Sequence, residues 1–279
     1  RISGRGRVRA ELDSTADGSL ETRLAVSLAQ YSIAAPDAAD SPYARGDNLQ
    51  LDVTVRGMPA RGEVLGATSA HLVFSDAQVP DLRVYNRFLT EQMRIDGGSG
   101  TASADLRLDG AGSIGQGVVH VQGHDAQMSM GGRQLRGDLA IDVPLRRADL
   151  QQRQFDLDGS QVRLSDVSFR DRDGQARQGW WAKVDLPAAR LDLASPYSVN
   201  GRAQVQARDV GFLLDLFDGD RESPAWMDRL VDSGQANASA RVQWRGDTLI
   251  LDDVQASNDR YQVQARLKLA AGQRQGQLL

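Results

Sequence analysis

The chain has 279 residues, with 33 basic and 37 acidic side chains for a net charge of −4, three histidines and no cysteine. That balance leaves no basic footprint for nucleic acid, and the missing thiols exclude a disulfide framework, a thiolate metal site and cysteine catalysis. Mean hydropathy is −0.43 with aromatics at 5%, and 28 Gly stand beside 8 Pro, a composition that suits many strands and turns better than long helices.

In chain order, strict apolar alternation comes first at Leu20, Leu24, Val26 and Leu28, then at Leu49, Leu51, Val53 and Val55. Such a period of two is the mark of a strand with one wet face and one apolar face. The stretch Pro80–Arg94 breaks the rhythm: Leu82, Tyr85, Phe88, Leu89 and Met93 fall near one helical face, and Asp81 is placed to cap it. Alternation returns at Ala102, Ala104, Leu106 and Leu108, and again at Leu139, Ile141, Val143 and Leu145. Trp180, Ala182, Val184 and Leu186 share a phase that sends Trp181 to the wet side. A second helical interruption runs from Asp209 through Phe212 and Phe217, and reopens at Ser223-Pro224 towards Val231. Ala236 to Trp244 and Tyr261 to Leu269 close the chain as strands. Turn signals separate the runs, among them Asp17-Gly18, Arg45-Gly46-Asp47, Gly131-Gly132, Asp173-Gly174, Gly246-Asp247 and Asn258-Asp259. No run of about 18 apolar residues is present, the nearest, Val210–Phe217, being broken by Asp215.

A motif overlies this rhythm. The pattern apolar-x-Asp-apolar-x-apolar occurs at Phe74–Val79, Leu164–Phe169, Ala207–Phe212 and Leu251–Ala256, with a looser copy at Gly123–Met128. Its aspartates, Asp76, Asp125, Asp166, Asp209 and Asp253, lie 49, 41, 43 and 44 residues apart, the narrow spread of stacked supersecondary units. Before Asp253 the apolar residues Leu249 and Leu251 are in odd phase, and after it Val254 and Ala256 are in even phase. A one-residue slip turns a strand inside out unless the backbone bulges or corners there, so each Asp is read as a bulge or corner residue. One carboxylate per repeat gives no ligand cluster, so a metal role is not assigned.

Other motifs have plain readings. Gly110-Ala111-Gly112-Ser113-Ile114-Gly115 matches a dinucleotide fingerprint, but Gly117–Val121 reads as a strand where that fingerprint demands a helix. His120 and His124 are four apart, a metal spacing only on a helix. Asp171-Arg172-Asp173-Gly174 lacks the later acidic ligand of a calcium loop, and Asn237-Ala238-Ser239 is a sequon inside an alternating strand. No catalytic elbow, phosphate loop or zinc-protease motif is found, so neither a reaction nor a cofactor is assigned.

The expected fold is mainly β: an elongated, curled antiparallel sheet of repeated hairpins with short inserted helices, an open trough occupying residues 1–279 with possible sub-units 1–79, 80–206 and 207–279. A dozen one-sided strands span about 50 to 60 Å, more apolar surface than two short helices can cover. The residues expected to line it are Ala104, Leu106, Leu108, Leu139, Ile141, Ala240, Val242, Val263, Ala265 and Leu267.

The units Gly246–Val254 followed by Tyr261–Leu269, and Leu157–Val167, resemble the repeated strand units of AsmA-like and TamB-type proteins. The resemblance implies a periplasmic, taco-shaped sheet whose apolar groove conducts phospholipid between the two membranes of a Gram-negative cell, tethered to the inner membrane by an anchor outside this chain. The chain begins at Arg1 and ends at Leu279 inside strand-like sequence, as a fragment would. Two other classes fit the residues: a scaffold that binds protein partners through its sheet edges, and a carbohydrate-active repeat enzyme with two carboxylates in a cleft.

Overall fold

The computed structural model describes residues 1–14, 19–35, 41–57, 67–89, 93–110, 114–130, 132–171, 174–194, 196–208, 212, 234–246, 248–257, 262–270 and 273–278. They form one antiparallel sheet of 16 strands. In chain order these are β1 (Ile2–Ser14), β2 (Leu20–Ile33), β3 (Ala44–Gly46), β4 (Leu49–Arg56), β5 (Thr68–Val79), β6 (Met93–Asp109), β7 (Ile114–Met130) and β8 (Arg133–Asp149). They continue as β9 (Gln154–Asp156), β10 (Ser160–Arg170), β11 (Ala176–Asp192), β12 (Ser198–Arg208), β13 (Gln235–Arg245), β14 (Thr248–Ser257), β15 (Gln262–Ala270) and β16 (Gln273–Leu278).

Sequence neighbours are sheet neighbours from β1 to β16, as short turns between alternating runs require. Two positions in the sheet are shared. β3 and β4 lie end to end between β2 and β5, and β9 and β10 lie end to end between β8 and β11. Arg45-Gly46-Asp47 is therefore not the hairpin turn that its composition suggests. It interrupts a single strand course, where Asn48 takes φ 62° and the ladder resumes at Leu49. Gly46 is required there, because the ring of Tyr31 on β2 lies over it and a Cβ would come within 2.8 Å of the Tyr31 hydroxyl.

The repeat aspartates sit where the register shifts. Asp76, Asp125, Asp166 and Asp253 have φ of 51°, 54°, 52° and 53°, the left-handed region that Asp tolerates better than most side chains. The ladders shift between Phe74 and Ala77, Gly123 and Ala126, Leu164 and Val167, and Leu251 and Val254. The consequence is visible in the pairing of β5 with β6. Leu72 and Phe74 face Leu106 and Ala104, and after the bulge Ala77 faces Ala102, so both phases of β5 serve one face. Asp209 lies outside the described residues.

Three apolar clusters hold the sheet. Tyr31, Ala44, Leu49 and Ala77 form the first, and Val79, Leu82, Ile95, Ala102 and Ala126 the second. The third is Leu135, Val167, Phe169, Trp180, Ala182, Ala207 and Phe212. Each lies on the bulged side of the strands. The helix expected over Pro80–Arg94 is shorter and tighter: a 3-10 helix, Leu82–Phe88, whose cap Asp81 accepts a 2.9 Å bond from the Arg83 N–H. Leu89 returns to extended backbone, and Met93 opens β6 instead of joining the helix. A 3-10 turn repeats every three residues, which aligns Leu82 with Tyr85 over the sheet. Leu82 seats on glycines, since a Cβ on Gly98 or Gly123 would lie 3.1 or 3.0 Å from its Cδ1. The second helical interruption falls outside the described residues except for Phe212, which stacks on Phe169 at 3.5 Å and meets Trp180 edge-on at 4.9 Å.

If the bulge needs its Asp only for backbone conformation, glycine replaces it and a β-branched residue does not. Asp166→Gly is expected to leave the urea unfolding midpoint within error or raise it. Asp166→Val is expected to lower stability by about 1–2 kcal/mol through the left-handed penalty. Equal losses for both variants would assign the role to the carboxylate.

Candidate functional site: the apolar sheet face

Residues paired across an antiparallel ladder project to the same side, so register alone shows which side chains share a face. One row runs Ala102, Val121, Ile141, Val162, Val184, Val205, Ala238 and Ala256, from β6 to β14 without a polar member. A parallel row runs Phe74, Ala104, Val119 and Val143. A third runs Val8, Val26, Leu51, Leu72 and Leu106 into Gly117. The other face is as consistently polar: His120, Asp142, Gln161, Asp185, Gln204, Ser239, Gln255 and Gln264 form its corresponding row.

Of the ten residues expected to line an apolar surface, the eight whose side chains are described share this one face by register, and the side chains of Val263 and Leu267 lie outside the description. Leu108 pairs with Ala70 and Gly115, Leu139 with Gly123 and Leu164, and Ile141 with Val121 and Val162. Ala240 pairs with Ala203, and Val242 with Gly201 and Leu251. Ala265 pairs with Val254, Val263 with Ala256 and Leu267 with Leu251. They are not equally accessible. Ala104 is 5% exposed, and Leu139 packs into the cluster beneath Leu82. Leu106, Leu108, Ile141, Ala240, Val242 and Ala265 are half-buried.

The face therefore has two parts. On the bulged side it is sealed, by Leu82 with Tyr85 over β6 and β7 and by Phe212 over β10 and β11. Towards the other strand ends, Leu106, Val119, Val143, Val162, Val184 and Val205 remain half-buried. Val162, Val184 and Val205 are not among the ten expected lining residues, although Val184 shares the phase of Trp180, Ala182 and Leu186, and Val162/Leu164 and Val205/Ala207 carry the same alternation. Two surface depressions of about 300 and 580 Å³ lie elsewhere, lined by polar groups such as Asp105, Arg107 and Arg146 in one and Asn200, Gln243 and Arg245 in the other.

The polar face is laced by cross-strand ion pairs. His120 Nδ1 lies 2.7 Å from Asp142 Oδ1, and Arg163 donates to the other oxygen at 2.9 Å. His71 lies 2.8 Å from Asp105. Arg136 grips Asp125 through both carboxylate oxygens, and Arg241 donates to Asp253 at 2.8 Å, so two repeat aspartates also pair with a neighbouring strand. The bulge N–H groups find partners as well: that of Asp76 donates to Ser103 Oγ at 2.9 Å and that of Asp125 to Asp138 Oδ1 at 3.0 Å. His120 and His124 thus face acidic side chains of β8, not each other. Among the described residues no group of three or more His, Asp or Glu is placed to hold a metal ion, and no helix is long and apolar enough to cross a membrane. Trp180 is 3% exposed and Trp181 half-buried on the opposite face. Asn237 is exposed on β13. Gly115 already pairs within the β6–β7 hairpin, so the glycine motif leads into β7 and presents no helix end to a phosphate. Comparison of the chain with family models, with curated proteins and with solved structures finds no match.

The bond from His120, assisted by Arg163, holds the Asp142 carboxyl below its ordinary range against the opposing effect of burial. A depressed carboxylate stabilises the fold above its unfolded pKa of about 4, and that contribution disappears as pH falls through the lower folded value. Asp142→Asn is therefore expected to lower the thermal midpoint at pH 6 and to differ progressively less from the parent as pH approaches 3. A gap that is constant with pH, followed by circular dichroism melts, would contradict the assignment.

Proposed function

We propose that this chain is a non-catalytic lipid-handling segment, whose apolar sheet face holds or conducts phospholipid acyl chains between the inner and outer membranes of a Gram-negative envelope. The observation that carries the reading is the unbroken row Val121, Ile141, Val162, Val184, Val205 and Ala238, apolar across six strands and half-buried throughout. A solvated face gains nothing from such residues. Each CH₂ of a hydrocarbon chain laid there would be stabilised by about 0.8 kcal/mol.

In this reading the sheet curls into an open trough, with Leu82 and Phe212 closing one margin and the half-buried valines forming its floor. Without polar side chains among them, the floor holds any acyl chain at any position along it, so a lipid slides instead of docking. The repeat supports this: a conduit lengthens by adding hairpins, whereas an active site is built once. The periplasmic setting and an inner-membrane tether outside the chain follow from the resemblance to AsmA-like and TamB-type units.

Expected results are specific to the face. Purified chain should bind a phospholipid carrying a fluorescent acyl chain and carry phospholipid into native mass spectrometry. Val184→Arg and Val205→Glu should each abolish the signal, while Gln204→Arg, on the polar face of the same strand, leaves it unchanged. Lipid absent from the parent, or equal losses from both faces, would remove the reading in favour of a scaffold that binds proteins through its edges.

A further inference from the structure

β1 is exposed on both faces along its whole length, and among the described residues it pairs only with β2. Its ladder with β2 shifts at Arg5/Gly6 and then runs unbroken from Gly6 to Ser14. A free, regular edge of this kind is a template for another strand, and its sequence states what that strand must carry.

The stretch Gly6-Arg7-Val8-Arg9-Ala10-Glu11-Leu12-Asp13-Ser14 is antisymmetric in charge about Ala10. Two arginines precede the centre and two carboxylates follow it. On the opposite side of the strand Val8 and Leu12 are placed symmetrically, each 66% exposed. Laid antiparallel against a second copy of itself with Ala10 facing Ala10, this strand sets Arg9 against Glu11, Arg7 against Asp13 and Val8 against Leu12, each pair occurring twice. Sliding the register by two residues either way puts Arg9 against Arg9 or Glu11 against Glu11, and a slide by one reverses the faces. The other free edge supplies no such complement: β16 carries Arg274 and no acidic residue within Gln273–Leu278.

We propose that the β1 edge is a self-complementary interface, through which two copies of this chain join about a two-fold axis at Ala10 into one continuous antiparallel sheet. That axis stands perpendicular to the sheet, so the apolar faces of both copies remain on one side and the row Ala10, Leu24, Val53, Ala70 passes from one copy into the next. The weak contacts that β1 charges make at present, Arg9 to Glu11 at 3.7 Å and Asp13 to Arg23 at 3.6 Å, are exposed and easily exchanged. The interface does not depend on what the apolar face binds.

The test uses the full 279-residue chain without lipid. Sedimentation should show a reversible monomer–dimer equilibrium. Arg9→Glu, which sets like charges opposite one another on both sides of the axis, should weaken the dimer about tenfold or more, and Arg9→Glu/Glu11→Arg should restore it. Because the chain lacks cysteine, single replacements report register directly. Facing Cα atoms lie about 4.5–5.5 Å apart, within disulfide reach, so Ala10→Cys should oxidise to a covalent dimer. Val8→Cys, about 14 Å from its own copy, should not. A monomer at every concentration, a charge exchange that fails to restore the dimer, or Ala10→Cys linking no faster than Val8→Cys would each overturn the proposal.

Discussion

The structure depends on keeping one face apolar along strands that are too long to stay in phase. The strands that hold the repeat aspartates, β5, β7, β10 and β14, run 10 to 17 residues; strands twist and coil as they lengthen, and a ladder without relief would carry strain into every neighbour. A single extra residue in the left-handed conformation gives that relief, and it reverses the side-chain alternation at the same point. The sequence answers with a matching reversal: Leu72 and Phe74 before Asp76, Ala77 and Val79 after it. Bulge and phase change are one device, and neither is useful without the other.

That coupling explains what could be read from sequence. The phase reversal at Asp76, Asp125, Asp166 and Asp253 is a pattern in the chain itself, and so are the alternating runs that became the antiparallel sheet. The eight described apolar positions share one face because register preserves alternation once the bulges are placed. What sequence did not show were the features decided by neighbours. Arg45-Gly46-Asp47 has the composition of a turn, yet β2 and β5 flank it continuously and hold it in a strand course. Pro80–Arg94 has helical spacing, but β6 claims Met93 and leaves room for a 3-10 helix alone. Which part of the apolar face is sealed rests on contacts between residues far apart in sequence, such as Leu82 on Gly123 and Phe212 on Phe169, and no local pattern announces them.

The two faces divide the work of holding the sheet. On the apolar side, among the described residues, close packing gathers mainly in three clusters, with half-buried valines between them. On the polar side, charges meet across strands, and Asp142 binds partners on β7 and β10 together. Exposed pairs of this sort contribute little energy singly, but they distinguish one register from its neighbours, because a slip sets like charges opposite. Specificity of alignment on one face allows the other to be uniform. A run of Val and Ala with no distinguishing feature could not align itself.

The same division bears on how such a sheet can extend. A strand added to an edge must match two things at once, a charge pattern on one face and apolar character on the other. β1 carries both, with Arg7 and Arg9 balanced by Glu11 and Asp13 on one side and Val8 and Leu12 on the other. β16 offers Gln273, Arg274, Gln275 and Gln277, a polar edge without opposing charge. The two ends of the sheet are thus unlike: one encodes a register for whatever joins it, and the other does not. An apolar face joined at the encoded edge keeps its orientation across the junction, which is the condition for a surface of this kind to stay continuous.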